Sequence, residues 1–351
     1  MERKKILLIK LSSLGDVIFN IPLSYALKDA GYEVTWLVSE KGYEILKNNP
    51  CVDKVILAPI FKWRKRKFSL KNTMEFWSII KTLRQEKYDI SIDAQMMFKS
   101  LFFNMFCGAK RRITSTQAKE FSKLGANEFV EGISYSPKIP IVKNYLKFAE
   151  GVNIKSEGGS NSTSDIKKSL PERTQEQIAK VDELLKNIDR SKPIVVLAPA
   201  TTWDNKHWAE MNWIKVAEAV SEGANIVFTG SIKDKKLIDK FCNDSYINLA
   251  GKTDLMELIE VFSRANVVVS PDSGSSHLAW ALNKPAVITV FTCTPKDILA
   301  PYGDENKYIA LSGSLNCQPC FKKKCKRKTD KNACQNLPIP NDVIEAIKRF
   351  I

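Results

Sequence analysis

The segment PDSGSSH at residues 271–277 carries serine and histidine side chains that could bind an anion. It directly follows the apolar run 267–269. Gly274 lets the backbone approach a ligand closely, and a helix beginning here directs unpaired N–H groups and a positive dipole end at it. Asp272 or a serine capping that helix is the simpler alternative. Because ligands bind at the carboxyl ends of parallel strands, we favour an anion site toward which His277 points.

A second polar segment, APATTWDNKHWA at residues 198–209, also follows a predicted strand. It places the hydroxyls of Thr201 and Thr202 and the amine of Lys206 just ahead of a helix. A lysine is a mobile point charge that suits a phosphate. Taken alone, the segment is better explained as a solvated loop with Trp208 packed inward.

A third segment, KLSSLGDVIFNIP at residues 10–22, follows the apolar run 6–9. It has one glycine, where a phosphate-binding G-x-G-x-x-G turn has three, and the carboxylate of Asp16 would repel a phosphate. A carboxylate at this turn is better suited to accepting a proton from a neutral hydroxyl. The alternative is that Asp16 caps a helix beginning at Val17.

Four of the eight cysteines lie close together, at Cys317, Cys320, Cys325 and Cys334. Their spacing is not that of a well-known zinc module. Reduced thiols are the default expectation, and a structural zinc or a disulfide is the alternative.

Length and charge bound the class of protein. The 351 residues suit two domains, and the net charge of +15 favours an acidic partner such as nucleic acid, an anionic membrane or a phosphorylated substrate. Basic runs at 62–67 and 322–331 carry much of the excess, although such runs are usually solvated loops. The apolar run after the N-terminal MERKK is only as long as a strand and lacks a cleavage site, so we expect a cytoplasmic protein.

Short β-branched runs alternate with helical patterns along the chain, which indicates βαβ units and parallel sheets. The loop-like stretch EGGSNSTS at residues 157–164 separates two such series. The pattern therefore predicts two Rossmann-like α/β domains in tandem.

Taken together, SSLGDV at 12–17, TTWDNKHW at 201–208 and PDSGSSHLA at 271–279 resemble the bacterial lipopolysaccharide heptosyltransferases, glycosyltransferase family nine. FKWRKRKFS at 61–69 and YDISIDAQMMFKS at 88–100 look most like the type I enzymes, which add the first heptose to Kdo. Any one motif is weak, but five in order over nearly the whole chain are specific.

The resemblance implies a GT-B fold, two Rossmann-like domains whose parallel sheets face a central cleft. Residues 1–165 would bind the acceptor, 166–335 the nucleotide sugar, and a helix in 336–351 would cross back to the first domain. The implied reaction is inverting transfer of L-glycero-D-manno-heptose from ADP-heptose to the Kdo of Kdo-lipid A. No metal or other cofactor is implied, because a lysine and a helix terminus would replace the cation.

The resemblance also assigns site residues. Asp16 matches the catalytic base. The donor-binding residues would be Thr201, Thr202, Lys206, Asp272, Ser273, Gly274 and His277. The acceptor-binding residues would be Ser13, Gly15, Lys62, Arg64, Lys65, Arg66 and Lys99.

One position departs from the family. Where a glutamate often holds the donor ribose, this chain has Ile232, which cannot accept a hydrogen bond, in the segment Gly230–Asp234. Asp234 could substitute from the next turn. The nucleoside is therefore the least determined part of the donor.

Three other functions remain as alternatives. A heptosyltransferase II would use a heptosylated acceptor, a dinucleotide-dependent oxidoreductase would need the missing three-glycine turn, and a nucleic-acid binder is suggested only by charge. Under the preferred interpretation nucleic acid is not a partner. The 62–67 run instead contacts the anionic glycolipid and holds the enzyme peripherally at the inner face of the cytoplasmic membrane.

Overall fold

The computed structural model describes residues 3–65, 69–131, 133, 139–154 and 166–351. The chain divides into two compact units, Met1–Glu172 and Arg173–Ile351. The expected domain boundary at residue 165 falls at the end of the segment 155–165, which lies outside the described residues. Across both units, no described helix is both long enough and apolar enough to cross a membrane.

The first unit is built on a parallel sheet. Its strands are Lys5–Ile9 (β1), Glu33–Val38 (β2), Lys54–Leu57 (β3), Ile90–Asp93 (β4), Arg111–Ser115 (β5) and Glu128–Val130 (β6). Its helices are Leu14–Asp29 (α1), Glu40–Leu46 (α2), Ile60–Lys65 (α3), Leu70–Gln85 (α4), Phe98–Phe106 (α5) and Ile141–Leu146 (α6), with 3₁₀ turns at Ser122–Gly125 and Lys147–Val152. The strand order is β3-β2-β1-β4-β5-β6, and each pair is parallel.

The second unit repeats this plan. Its strands are Ile194–Leu197 (β7), Asn225–Phe228 (β8), Ile247–Asn248 (β9), Val267–Pro271 (β10), Ala286–Phe291 (β11) and Tyr308–Ser312 (β12). Its helices are Gln175–Leu184 (α7), Glu210–Val220 (α8), Lys235–Ile238 (α9), Leu255–Arg264 (α10), Gly274–Leu282 (α11), Lys296–Leu299 (α12) and Pro340–Lys348 (α13), with 3₁₀ turns at Asp204–Lys206, Ile232–Asp234 and Ala333–Asn336. The parallel strands run in the order β12-β11-β10-β7-β8-β9.

Both sheets reverse their strand order at a central pair. In the first sheet the reversal falls between β1 and β4, where Ile9 pairs with Asp93. In the second it falls between β7 and β10, where Leu197 pairs with Val269. The loops that leave such a pair diverge to opposite faces and open a crevice at the carboxyl ends of the strands. The two reversal points therefore mark where each unit can hold a ligand.

The C-terminal helix packs on the second unit, and the expected return of residues 336–351 to the first domain stays a prediction. Four residues of α13, Val343, Ile344, Ala346 and Ile347, are buried in the same core as Trp213 and Val216 of α8. The apolar stripe of this amphipathic helix is satisfied within the second unit. Trp208 fixes the preceding segment by donating its indole N–H to the Pro338 carbonyl at 2.9 Å.

Candidate functional site

The turn after β1 holds Asp16 in the first turn of α1. Ser13 caps this helix, and the Oδ2 atom of Asp16 accepts the Ser13 backbone N–H at 2.8 Å and the Ser13 hydroxyl at 3.0 Å. Gly15 is buried beside it, while Ser13 is exposed. The helix thus begins at Leu14 and not at Val17, and Ser13 and not Asp16 is its N-cap; Asp16 is the third residue of the helix and completes a capping box with one carboxylate oxygen.

The other oxygen of Asp16 faces a buried lysine and a buried tyrosine. The Tyr145 hydroxyl donates to Oδ1 at 3.1 Å, and the Lys10 Nζ atom lies 3.7 Å from the same oxygen. Lys10, only 1% exposed, donates to the Tyr145 hydroxyl at 2.6 Å and to the Ala94 carbonyl at 3.1 Å. A positive charge and a hydroxyl thus hold the carboxylate from its buried side.

These contacts set the charge states. Burial alone would raise the pKa of Asp16, but the charge of Lys10 and the hydrogen bonds from Ser13 and Tyr145 outweigh it and leave the pKa below its usual value. Burial lowers the pKa of Lys10 more than Asp16 and Asp93 raise it. Because the Asp16 side chain is 28% exposed, an ionised proton acceptor remains accessible at neutral pH.

The end of β4 supports this turn from the adjacent strand. The amide oxygen of Gln95 accepts the backbone N–H groups of Leu11 and Ser12, both at 3.0 Å. Asp93 is fully buried, and its carboxylate accepts the Ser100 hydroxyl at 2.8 Å. Burial raises the pKa of Asp93 to about 6 against these hydrogen bonds. The DAQ segment therefore positions the Asp16 turn.

The predicted acceptor-binding lysine, Lys99, is half-buried next to the same turn and donates to the Ser12 hydroxyl. Burial, followed by the positive charges of Lys10 and Arg64, lowers its pKa to about 8, against the opposing charge of Asp16. The charges of Asp16 and Arg64 thus both act on Lys99.

The remaining acceptor candidates on α3 do not converge on Asp16 to the same degree. Lys62 forms an ion pair with Glu75 at 2.8 Å. Lys65 is exposed to solvent. The predicted residue Arg66 lies outside the described residues.

The second unit also holds an aspartate at the reversal point of its sheet, at the end of β10. Asp272 is buried, its Oδ2 atom lies 2.6 Å from the Lys206 Nζ atom, and the Thr294 hydroxyl donates to Oδ2 at 2.8 Å. The His277 Nε2 atom is 3.4 Å from Oδ1. Burial would raise the pKa of Asp272, but the His277 hydrogen bond and the Lys206 charge outweigh it and hold the pKa well below its usual range. The sequence thus predicted three residues that the structure joins.

The helix after Asp272 begins as predicted. Ser273 caps α11 and accepts the Ser275 N–H at 3.3 Å, and Gly274 is the first helical residue. The Ser276 hydroxyl donates to the Ser273 carbonyl at 2.9 Å. The N-terminus of α11 therefore lies beside the Lys206–Asp272–His277 cluster.

The loop after β7 carries Lys206 over an aromatic ring. Its Nζ atom lies 4.8 Å from the Trp203 ring centroid, and the Nζ atom of Lys323 lies 5.6 Å from the same centroid. Thr201 and Thr202 precede Trp203, and Thr202 is exposed. Lysines of the second basic run thus lie beside the candidate phosphate loop. Their side chains are exposed to solvent, as expected for a solvated loop.

Ile232 is 68% exposed on the 3₁₀ turn after β8. Its Cδ1 atom would be only 2.7 Å from a Cβ on Gly251, where φ is +74°. Asp234 accepts the Ser231 backbone N–H at 2.9 Å and so stabilises the turn. One oxygen of Asp234 is therefore committed to the turn that presents Ile232.

The four clustered cysteines line one cavity of about 200 Å³, together with Asn205 and Gln318. All four carry free thiols. Within the described parts of the chain, no group of three histidine, cysteine or acidic side chains is arranged to hold a metal ion.

The sequence analysis missed three residues that contact the site. Tyr145 is 129 positions from Asp16, and Thr294 is 22 positions from Asp272. Lys10 does end an apolar strand, and a lysine at that place could have suggested a buried charge partner for Asp16.

Comparison with known proteins identifies the family. The model of glycosyltransferase family 9 (heptosyltransferase) matches residues 76–330. Lipopolysaccharide heptosyltransferase 1 of Pseudomonas aeruginosa is 28% identical over 329 residues, covering 92% of this chain and 87% of that protein. The structure of a family 9 glycosyltransferase from Veillonella parvula has a TM-score of 0.80 at 18% identity over 100% of this chain and 98% of that chain. E. coli heptosyltransferase WaaC with ADP-2-deoxy-2-fluoro heptose has a TM-score of 0.71 at 24% identity over 98% and 99% of the two chains. The predicted GT-B fold is confirmed, and the chain belongs to glycosyltransferase family 9, the heptosyltransferases.

Proposed function

We propose that this glycosyltransferase transfers L-glycero-D-manno-heptose, with inversion, from ADP-heptose to the Kdo of Kdo-lipid A. The name of the P. aeruginosa relative and the ADP-heptose analogue named with the E. coli structure support the donor and the pathway. The segments FKWRKRKFS and YDISIDAQMMFKS favour the first-heptose enzyme over a heptosyltransferase II.

The environment of Asp16 is the observation that carries the proposal. A general base must be ionised, accessible and held in place, and the contacts from Lys10, Tyr145 and Ser13 provide these properties. In the reaction, an acceptor hydroxyl oxygen bonds to the anomeric carbon while its proton passes to Asp16. The bond from that carbon to the diphosphate breaks on the opposite face, and ADP leaves with the electron pair.

In this proposal the second unit binds the donor. Lys206 and the α11 N-terminus stabilise the negative charge that grows on the leaving diphosphate, with Thr201 and Thr202 on the same loop. Asp272 holds Lys206 in place through the 2.6 Å ion pair, and His277 contacts the other oxygen of Asp272 at 3.4 Å. Ser273 and Gly274 present backbone N–H groups at the helix start. At the expected ribose position, Ile232 offers only apolar contact, so we assign recognition of the ribose to other polar groups, with Asp234 the nearest in sequence.

Lys99 is the acceptor-binding residue best supported by position, because it donates to the Ser12 hydroxyl at the Asp16 turn, and the charge of Arg64 acts on Lys99. Their charges match the carboxylate of Kdo and the phosphates of lipid A. Ser13, Gly15, Lys62, Lys65 and Arg66 complete the proposed acceptor side. An acceptor carried by an anionic glycolipid would place the enzyme in the cytoplasm, peripherally bound at the inner face of the membrane.

Incubation of the purified enzyme with ADP-heptose and Kdo-lipid A, followed by mass spectrometry, tests the proposal. We expect one heptose mass increment on Kdo-lipid A and none on an acceptor that already carries the first heptose. Product from the heptosylated acceptor alone would make the chain a heptosyltransferase II. Product with a different nucleotide-heptose alone would overturn the donor and direct attention to Ile232.

Asp16→Asn should form product at least about 10²-fold more slowly in the same assay. Asp29→Asn, at the exposed end of the same helix, is the matched control, since Asp29 pairs only with solvent-exposed Lys167 among the ion pairs of the described residues. Equal loss in both variants would contradict the assignment of Asp16 as the base.

A further inference from the structure

Helix α4 has two apolar faces, and the core of the first unit uses only one. Ile80 and Leu83 are buried in that core, with Phe76 packed against it. The opposite face carries Leu70 and Met74, which are 84% and 72% exposed, and Trp77, which is 52% exposed. Their spacing of four and three residues aligns these three side chains along the helix. Packing among the described residues of the unit does not account for this second face.

Helix α5 extends the same surface through ring contacts. The Trp77 ring lies 5.7 Å from Phe106, Phe106 lies 6.2 Å from Phe102, and Phe102 lies 5.5 Å from Phe98, measured between ring centroids. Phe98 and Phe102 are 50% and 40% exposed. We call the side chains of Leu70, Met74, Trp77, Phe98, Phe102 and Phe106 the aromatic row.

The 3₁₀ turn Ser122–Gly125 packs against the start and middle of α5. Glu120 accepts the Phe98 backbone N–H at 3.2 Å, and a Cβ on Gly125 would meet the Leu101 carbonyl at 2.7 Å. Phe121, just before this turn, and Leu124 within it are 76% and 68% exposed. Large apolar side chains are therefore exposed on three neighbouring elements.

Positive charges border the aromatic row. Exposed basic side chains on α3, on α4 and around the 3₁₀ turn are Arg64, Lys65, Lys71, Lys81, Lys119 and Lys123. Among the acidic side chains of these elements, Glu75 pairs with Lys62 and accepts the Trp63 indole N–H, both at 2.8 Å. The surface around the row is therefore cationic as well as apolar.

We propose that the aromatic row and its basic border form a docking surface for an anionic lipid bilayer. Large exposed apolar surfaces on soluble domains mark interaction sites. The amphipathic indole ring of tryptophan lies at the level of lipid headgroups, and phenylalanine and leucine side chains form the apolar face of elements that bind there. Lysines beside them are attracted to anionic lipids. An anionic bilayer offers both an apolar interior for the aromatic row and a negative surface charge that complements the basic border. The inference rests on the proposed function only in that a lipid-borne acceptor gives the enzyme a reason to bind a membrane.

Flotation of the full-length protein with vesicles tests the surface without any acceptor present. Vesicles of phosphatidylcholine alone are compared with vesicles containing phosphatidylglycerol. We expect binding to the anionic vesicles, weakened by salt, and at least 10-fold weaker binding to the neutral ones. The variant Met74→Ser/Trp77→Ser/Phe102→Ser should lose at least 10-fold in affinity for anionic vesicles, as each buried apolar group contributes to partitioning.

Two matched controls separate the parts of the surface. Met211→Ser/Ile339→Ser removes exposed apolar side chains from the second unit and should bind vesicles like the unchanged protein. Lys71→Glu/Lys81→Glu/Lys123→Glu should remove the preference for anionic lipid. Thermal unfolding checks that each variant is folded; should the aromatic variant unfold, Trp77→Ser alone replaces it.

Unchanged vesicle binding by the folded aromatic-row variants would overturn the proposal, as would no binding by the unchanged protein. Loss of a dimer in light scattering with vesicle binding intact would instead identify a second copy as the occupant and also overturn it. Transfer to a lipid-free Kdo oligosaccharide distinguishes this inference from the proposed function. Loss of vesicle binding with transfer intact supports the docking surface, whereas vesicle binding without any transfer rejects only the proposed function.

Discussion

Asp16 and Asp272 both lie at the reversal point of their sheets, but on different strands of the central pair, and their surroundings differ. Asp16 follows β1, whereas Asp272 follows β10, which corresponds to β4 of the first sheet. Each follows a strand at the reversal point of its sheet, and each pairs with a lysine. Asp272 is 3% exposed, and both of its oxygens have side-chain partners. Asp16 is 28% exposed, and its lysine lies 3.7 Å away behind it. An aspartate at such a reversal point can therefore be a fixed anchor for a cation or a carboxylate open to substrate.

The variant with the largest expected effect on this contrast is Asp16→Asn. An amide keeps the shape and can still accept the Ser13 N–H, but it cannot take a proton, so kcat should fall by about 10²–10⁴-fold. Donor affinity, measured by calorimetry with ADP, should stay unchanged. Weakened ADP binding with normal kcat would reverse the roles assigned to the two aspartates.

Asp272→Asn should instead lower the free energy of unfolding. Removing one partner leaves the Lys206 charge without its neutralising carboxylate, at a cost of about 3 kcal/mol in the free energy of unfolding. The folded-state pKa of Asp272 is depressed, so its contribution to stability is present at neutral pH and is lost as pH falls below the unfolded value of about 3.9. Urea unfolding at pH 7 and pH 3 measures both effects.

Thr294→Val is the milder companion, since it removes one hydrogen bond to Asp272 and should cost about 1 kcal/mol. A cost for Asp272→Asn no greater than that of Thr294→Val would show that Asp272 does not anchor Lys206.

Tyr145→Phe tests whether the contacts behind Asp16 tune it. Loss of the hydrogen bond to Oδ1 should raise the pKa of Asp16, because that bond favours the ionised form. The acidic limb of the kcat profile should therefore move to higher pH, with kcat at neutral pH reduced by about 5-fold for one hydrogen bond. Tyr25→Phe, whose hydroxyl contacts Ser169, is the control. A lower kcat without a shift of the acidic limb would reduce Tyr145 to a packing role.

The smallest effect concerns Lys99. Because its pKa is lowered to about 8, its positive charge is lost as pH rises through that value. The acceptor KM should then rise by about 3-fold between pH 7 and pH 9, as expected for loss of one charged contact to an anionic ligand. Lys99→Arg should remove this dependence, since arginine stays protonated. An unchanged profile in the arginine variant would assign the titration to another group.

Much of this contrast could be predicted from the sequence. The bounds of β1 and β2 follow from their β-branched and apolar runs, and the alternation of elements identifies two Rossmann-like domains. The polar segments at the strand ends gave Asp16, Lys206, Asp272 and His277 directly. Local sequence carries this information because a parallel strand always ends at the same edge of its sheet.

The rest depended on contacts between distant segments. Nothing near Tyr145 marks it as a partner of Asp16, since α6 reaches the site only through tertiary packing. The contact of the C-terminal helix with α8 depended on tertiary packing in the same way. The apolar stripe of this helix is visible in the sequence, but the surface that buries it, α8, is not. The role of Asp16 as base remains a prediction until the variants are measured.

The packing of α13 also affects synthesis on the ribosome. The first unit has all of its strands and the helices around Asp16 once residue 172 has emerged, so it can fold while the chain is still growing. The core of the second unit includes Ile347, so it stays open until that residue leaves the exit tunnel. During this interval the second unit exposes apolar surface. Slow translation or a stalled ribosome would leave a folded first unit tethered to an unfinished second one.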